Sequence, residues 1–292
     1  MSEVIASPST RRKALEQGVD IVARARALGR KTMGPEDLGA SAPASAPAGD
    51  TSYWDVDHAA YGPVTHEPMS RFAQVAATNL GAANALIPQV THHDRADLRA
   101  VNTLRETLKP EAQARGLKLT TLVFQIAALA HCLRAFPRFN ASLSADGKTL
   151  ILKDYVHIGI AVDTPHGLMV PVIRNADTKG LWEIAADLAD LAARAQARKI
   201  KPDEMGGASM TISNLGGIGG IGFTPIVNPP ELAILGITRT EIVTQWDGTT
   251  PQPVPMAPLD LSYDHRALNG ADAARFMNHL TQIIKDPRQM MV

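Results

Sequence analysis

Residues 41–49 read Ser-Ala-Pro-Ala-Ser-Ala-Pro-Ala-Gly. Small side chains bury almost nothing and proline keeps the backbone extended. This stretch therefore cannot join a core and reads as a semi-rigid linker. It divides the 292 residues into an N-terminal segment (1–40), a linker region (41–55) and a body (56–292). The N-terminal segment is too short to bury much surface alone. It reads either as a solvated arm or as a docking module. Ser7-Pro8-Ser9 is a helix start, Gly18 a stop, and Pro35-Glu36-Asp37-Leu38 the start of a second short helix.

The body alternates helical and strand patterns. Residues 120–135 form an apolar helix that ends at Phe136-Pro137, and 156–162 alternate β-branched residues as a strand does. In 181–198, Leu181, Ile184, Leu188, Leu191, Ala192 and Ala195 share one helical face. Further strands are predicted at 210–214, 232–237 and 258–263, and a last helix at about 271–284. This pattern implies an α/β or α+β body with one large mixed sheet and flanking helices. No internal repeat is visible.

Several function classes are disfavoured early. Twenty-nine basic residues balance 29 acidic ones, so global charge suggests neither nucleic acid nor an acidic membrane as partner. The lone Cys132 excludes a CxxC metal or redox motif and an intramolecular disulfide. No apolar run reaches the roughly 18 residues of a membrane span, and the N-terminus lacks a secretory pattern. The expected location is the cytosol, and no metal is expected. Residues 217–222 match GxGxxG, but Phe223-Thr224-Pro225 and Pro229-Pro230 follow, where a dinucleotide site needs a helix. A tightly turning loop is the better reading. His92-His93-Asp94 is the one dense histidine cluster, and neighbours on a strand face opposite ways, so a polar surface strand is expected there. His265 stands between an apolar strand and a helix that starts past Gly270. It suits proton transfer, although strand ends are often simply polar.

Asp264-His265-Arg266-Ala267-Leu268-Asn269-Gly270 resembles the DHRxx(D/N)G signature of the dihydrolipoamide acyltransferases, the core components of 2-oxo-acid dehydrogenase complexes. Thr211 to Gly216, Phe223 to Gly236, Ile87 to Thr91 and His157 to Asn175 resemble further stretches of that family, in order, over roughly residues 60–292. The details are most similar to the pyruvate-type (acetyl) branch. The resemblance implies the chloramphenicol-acetyltransferase-like fold, a homotrimer with active sites between subunits, and assembly of trimers into a cubic or dodecahedral core. It implies acyl transfer between dihydrolipoamide and coenzyme A. By resemblance His265 is the base that takes the thiol proton, Ser213 donates to the oxyanion, and Asn269 orients groups by hydrogen bonding. Arg266 is expected to fix local structure through an ion pair, with Asp264 or another carboxylate. Arg105 matches a position near the family's coenzyme A site, and reads equally as a solvated helix arginine.

Residues 6–38 resemble the family's peripheral-subunit-binding domain, which docks the decarboxylase and dihydrolipoamide dehydrogenase components. Arg26 to Thr32 replace its glycine-rich turn. No lipoyl hairpin is visible, so the lipoyl group is expected on a separate domain or protein. The competing readings are a non-catalytic scaffold on the same fold and a stand-alone acyltransferase with another acceptor. Retention of both the histidine and the serine favours catalysis over the scaffold.

Overall fold

The computed structural model describes residues 4–16, 19–27, 31–34, 37–38, 54–165 and 167–290. The linker residues 41–49 lie outside these. The chain divides into two compact units, Met1–Pro68 and Met69–Val292.

In the first unit, strand β1 (Ile5–Ala6) pairs in parallel with β2 (Thr32–Met33) around helices α1 (Pro8–Glu16) and α2 (Ile21–Ala27). Of the helix start expected at 35–38, Pro35 and Glu36 lie outside the described residues, while Asp37 and Leu38 sit in a turn. The start of α2 is marked by Asp20, whose Oδ1 accepts from the amides of Val22 and Ala23. A carboxylate at this position satisfies free N–H groups of a first turn.

The second unit starts with α3 (Arg71–Leu86), β3 (Gln89–Asp97), α4 (Arg99–Ala114) and α5 (Thr121–Ala135). There follow β4 (Ala141–Leu143), β5 (Leu150–Leu152), β6 (Ile158–Ala161), β7 (Val172–Ile173) and α6 (Leu181–Gln196). The rest is β8 (Met210–Asn214), β9 (Ala233–Ile237), β10 (Glu241–Trp246), β11 (Pro251–Asp264) and α7 (Gly270–Lys285). One mixed sheet runs β10-β11-β9-β8-β6-β7, with β3 also paired to β11, while β4 and β5 form a separate hairpin.

The two faces of this sheet differ. Ile160, Ile212, Leu235, Leu259, Leu261 and Tyr263 belong to the buried core that α5 and α7 complete. The α5 helix is buried from Val123 to Ala130, which explains its apolar character all round. The opposite face is small and polar around Ser213, while Ile234 on it packs into a separate apolar cluster with Ala83, Ile87 and Val227. Register puts Ala161, Ser213, Gly236, Asp260 and His93 in one row across five strands. Thr91 and Ser262 hydrogen-bond at 2.8 Å one step along the same face.

The strand β11 is far longer than expected from 258–263. Pro251, Pro253 and Pro255 disguise its first half. Pro255 turns its carbonyl away from β10, to the Leu98 amide at 2.9 Å. Pro251 and Pro253 share that direction by the two-residue period. Their missing N–H groups therefore cost the β10 ladder nothing.

Candidate active site

The segment after β11 is held from several sides. The Asp264 amide donates to the Leu232 carbonyl, and the Ala267 and Leu268 amides donate to the Asp264 carbonyl. The buried Asp264 carboxylate takes Arg266 in a two-pronged pair, Nη2 to Oδ2 at 2.7 Å and Nε to Oδ1 at 3.0 Å. Of the partners the sequence left open, Asp264 is the one that Arg266 takes, and the pair holds the guanidinium above its ordinary pKa. From the turn after α5, Arg138 Nη2 donates to the Ala267 carbonyl at 2.8 Å. His265 is thus fixed through its backbone, which donates to Pro88 at 3.1 Å. Its ring is exposed, tilts over Tyr263 at 5.8 Å between centroids, and makes no hydrogen bond among the described residues. Asn269 ends the segment as the N-cap of α7, its amide donating to Asp272 at 3.4 Å.

Ser213 lies on β8, half-buried, and its hydroxyl has no hydrogen-bond partner among the described residues. Ala161 flanks it on one side and Gly236 on the other. A cavity of about 470 Å3 opens at the carboxyl ends of β6, β8 and β9, lined by Ala161, Asn214, Thr238, Gln125 and the Thr120–Thr121 start of α5, among others. Thr238 Oγ1 is buried on its wall without a hydrogen-bond partner. A buried hydroxyl in that state is costly, so the cavity suits a ligand with polar atoms.

Thr120 also lines a neighbouring groove of about 510 Å3, with Arg105, Lys109 and Lys118. Arg105 is not a freely solvated helix residue. Its Nε donates to the Leu119 carbonyl and its Nη1 to Asn102, both at 2.9 Å. Three basic side chains around one groove fit a phosphate-bearing ligand. Neither groove was visible in the sequence, because it joins α4 to the loop before α5.

Ser213 and His265 do not meet within one chain. In the Ser213 row, Asp260 on β11 lies two strands away, about 10 Å at strand spacing. His265 lies five positions further along, about 17 Å at strand rise. The two groups are therefore roughly 20 Å apart in the monomer. Residues 217–222 form a loop, and irregular chain follows from 223, so no dinucleotide-binding helix exists there. No cluster of metal ligands occurs among the described residues, and no described helix is long and apolar enough to cross a membrane.

Comparison with known proteins gives a consistent picture. Residues 61–292 match the family model for the 2-oxoacid dehydrogenases acyltransferase (catalytic domain). The dihydrolipoyllysine-residue acetyltransferase component of the Pseudomonas aeruginosa pyruvate dehydrogenase complex is 48% identical over 238 residues, 82% of this chain and 44% of that protein. Its Azotobacter vinelandii counterpart is 43% identical over 304 residues, 100% of this chain and 48% of that protein. The chain thus spans about half the length of these relatives. A crystal structure of the Azotobacter vinelandii dihydrolipoamide acetyltransferase superposes with a TM-score of 0.80 at 48% identity, covering 81% of this chain and 98% of that one. The cubic core of the pyruvate dehydrogenase multienzyme complex gives the same TM-score, identity and coverage.

Proposed function

Because this chain belongs to the 2-oxoacid dehydrogenase acyltransferase family through its catalytic domain, we propose that it transfers an acetyl group between dihydrolipoamide and coenzyme A. The observation that carries the reading is a pair of unengaged polar groups. Among the described residues, the His265 ring and the Ser213 hydroxyl make no hydrogen bond, and each is carried on a hydrogen-bonded backbone. The Azotobacter vinelandii structure concerned the role of a serine, a histidine and an asparagine in catalysis, separated by 52 and then 4 positions. Ser213, His265 and Asn269 have the same separations.

Coenzyme A fits the cavity at the strand ends, whose lining includes Asn214, the residue after Ser213, with its phosphates in the Arg105 groove. A thiol with a pKa of about 8.5 is mostly protonated at neutral pH, so it needs a base. His265 takes the proton from the coenzyme A sulfur, and the thiolate attacks the acetyl carbonyl carbon of the lipoyl thioester. The carbonyl oxygen gains charge and accepts a hydrogen bond from Ser213. Collapse breaks the carbon–sulfur bond to the dihydrolipoyl group. The departing sulfur then takes the proton back from His265. Asn269 holds the His265 segment at the head of α7.

A gap of roughly 20 Å within one chain supports a site in which these groups come from two subunits. We take the unit to be a homotrimer, with the polar sheet face against a neighbour's His265 segment. One matched structure is the cubic core of a pyruvate dehydrogenase multienzyme complex, and we extend that assembly to this chain. The lipoyl group would arrive on a separate domain or protein, and Met1–Pro68 would dock the decarboxylase or dihydrolipoamide dehydrogenase.

The test is transfer from acetyl-CoA to free dihydrolipoamide by the full chain. His265→Ala is expected to reduce kcat at least about 100-fold. Equal rates in both proteins would remove His265 from the mechanism. An inactive wild type would leave a scaffold.

A further inference from the structure

The mechanism leaves one pair of titratable groups unused, and it stands in the same row as Ser213. Asp260 is 2% exposed, in the middle of the polar sheet face. His93, on β3, directs Nδ1 at Asp260 Oδ1 at 2.6 Å, and its side chain is 59% exposed. The other carboxylate oxygen accepts the Phe223 amide at 3.1 Å. A buried carboxylate is expensive to desolvate, and here each oxygen takes one specific donor.

The Phe223 contact ties down the loop that leaves Ser213. After β8 the chain turns at residues 215–219 and runs on through Gly220, which has a φ of 87°. From residue 220 to 226 the only backbone N–H with a hydrogen-bond partner, among the described residues, is that of Phe223. The anchor also sets the Phe223 ring. Its edge lies against Gly236, where an added Cβ would stand 2.7 Å from Cε1. Gly236 is the immediate neighbour of Ser213 across the sheet. Ala161, the neighbour on the other side, lines the cavity assigned above to coenzyme A.

We propose that Asp260 and His93 are positioning residues that pin Phe223 as the apolar wall of the dihydrolipoyl side of the site. This rests on the acyl-transfer reading. With the thioester carbonyl at Ser213, one sulfur approaches over Ala161 and the other lies towards Gly236 and Phe223. The dihydrolipoyl arm is an aliphatic dithiol, and an aromatic ring edge with no polar atom is a suitable surface for it. Neither Asp260 nor His93 touches a reacting atom. They act through the loop, so their effect falls on one substrate.

The experiment measures KM for acetyl-CoA and for dihydrolipoamide separately, with hydrogen exchange of the peptide carrying the Phe223 amide. The proteins are wild type, His93→Phe and His93→Asn. Asparagine keeps an N–H donor at the same distance along the side chain as Nδ1. His93→Phe is expected to raise the dihydrolipoamide KM about tenfold, with kcat and the acetyl-CoA KM within about twofold. Phe223 exchange should speed up by about tenfold. His93→Asn should restore both. Equal changes in the two KM values, no change in either, or no recovery in the asparagine variant would overturn the proposal. If His93→Phe does not fold, Phe223→Leu takes its place, with the same rise confined to dihydrolipoamide. A wild type without acyl transfer sinks the functional reading. An unaltered Phe223 exchange rate sinks the anchor, whatever the activity.

Discussion

Glu231, two positions before β9, is 5% exposed. Its Oε1 accepts from Thr211 Oγ1 at 2.9 Å and from Asn228 Nδ2 at 3.1 Å, while its Oε2 is buried without a partner. Burial pushes its pKa up from 4.5 to about 7, against the pull of those hydrogen bonds and of the Lys153 charge. The folded chain therefore keeps this proton to about pH 7, whereas the unfolded chain releases it near 4.5. Between these values the folded state binds the extra proton, so stability falls as pH rises, and it stays low above 7. At about 1.4 kcal/mol per pH step, the gap is worth on the order of 3 kcal/mol. Glu231→Gln mimics the protonated side chain at every pH. Its amide oxygen keeps the Thr211 and Asn228 bonds, while its amide nitrogen is a new donor without an acceptor, at a cost of about 1–3 kcal/mol. Urea unfolding of both proteins from pH 5 to pH 8.5, at one protein concentration, gives the difference directly. The variant should be the weaker or equal protein at pH 5 and gain on wild type by about 2–3 kcal/mol at pH 8.5. Two curves that run parallel across this range would refute the assignment of the proton to Glu231.

Ser213→Ala should lower kcat by about 100- to 1000-fold with KM nearly unchanged, because the hydroxyl acts on the developing oxyanion; steady-state kinetics separate the two. Arg105→Gln should raise KM for coenzyme A about tenfold and leave that for pantetheine, which carries no phosphate diester or nucleotide, within about twofold. Gly236→Ala forces a methyl group to within 2.7 Å of the Phe223 ring. It should cost about 1–3 kcal/mol in urea unfolding.

Elements with strong patterns were legible from the residues alone. The α5 helix spans Thr121–Ala135 against an expected 120–135, and β8 coincides with the expected 210–214. Their signals come from burial, which dictates apolar residues directly. The helix α3 gave no such signal, because only Ala83 among its described side chains is buried. The strand β3 carries Thr91, His92, His93, Asp94 and Arg95 since one of its edges and one of its faces are unpaired in the chain. His265, Ser213 and Asn269 were found through resemblance, and spacing alone would have left them as polar strand-end residues. The His93–Asp260 contact joins residues 167 positions apart, and no local pattern could reveal it. The roughly 20 Å between Ser213 and His265 follows only from strand register.

The three alternating prolines at the start of β11 have an effect beyond permitting a long strand. Along residues 251–255, the margin opposite β10 has no N–H groups, and the Pro255 carbonyl is already taken by the Leu98 amide. A foreign strand laid against it could donate but would find nothing donating in return, and half a ladder does not hold. Crowded copies of the chain thus cannot zip together along this margin of β11.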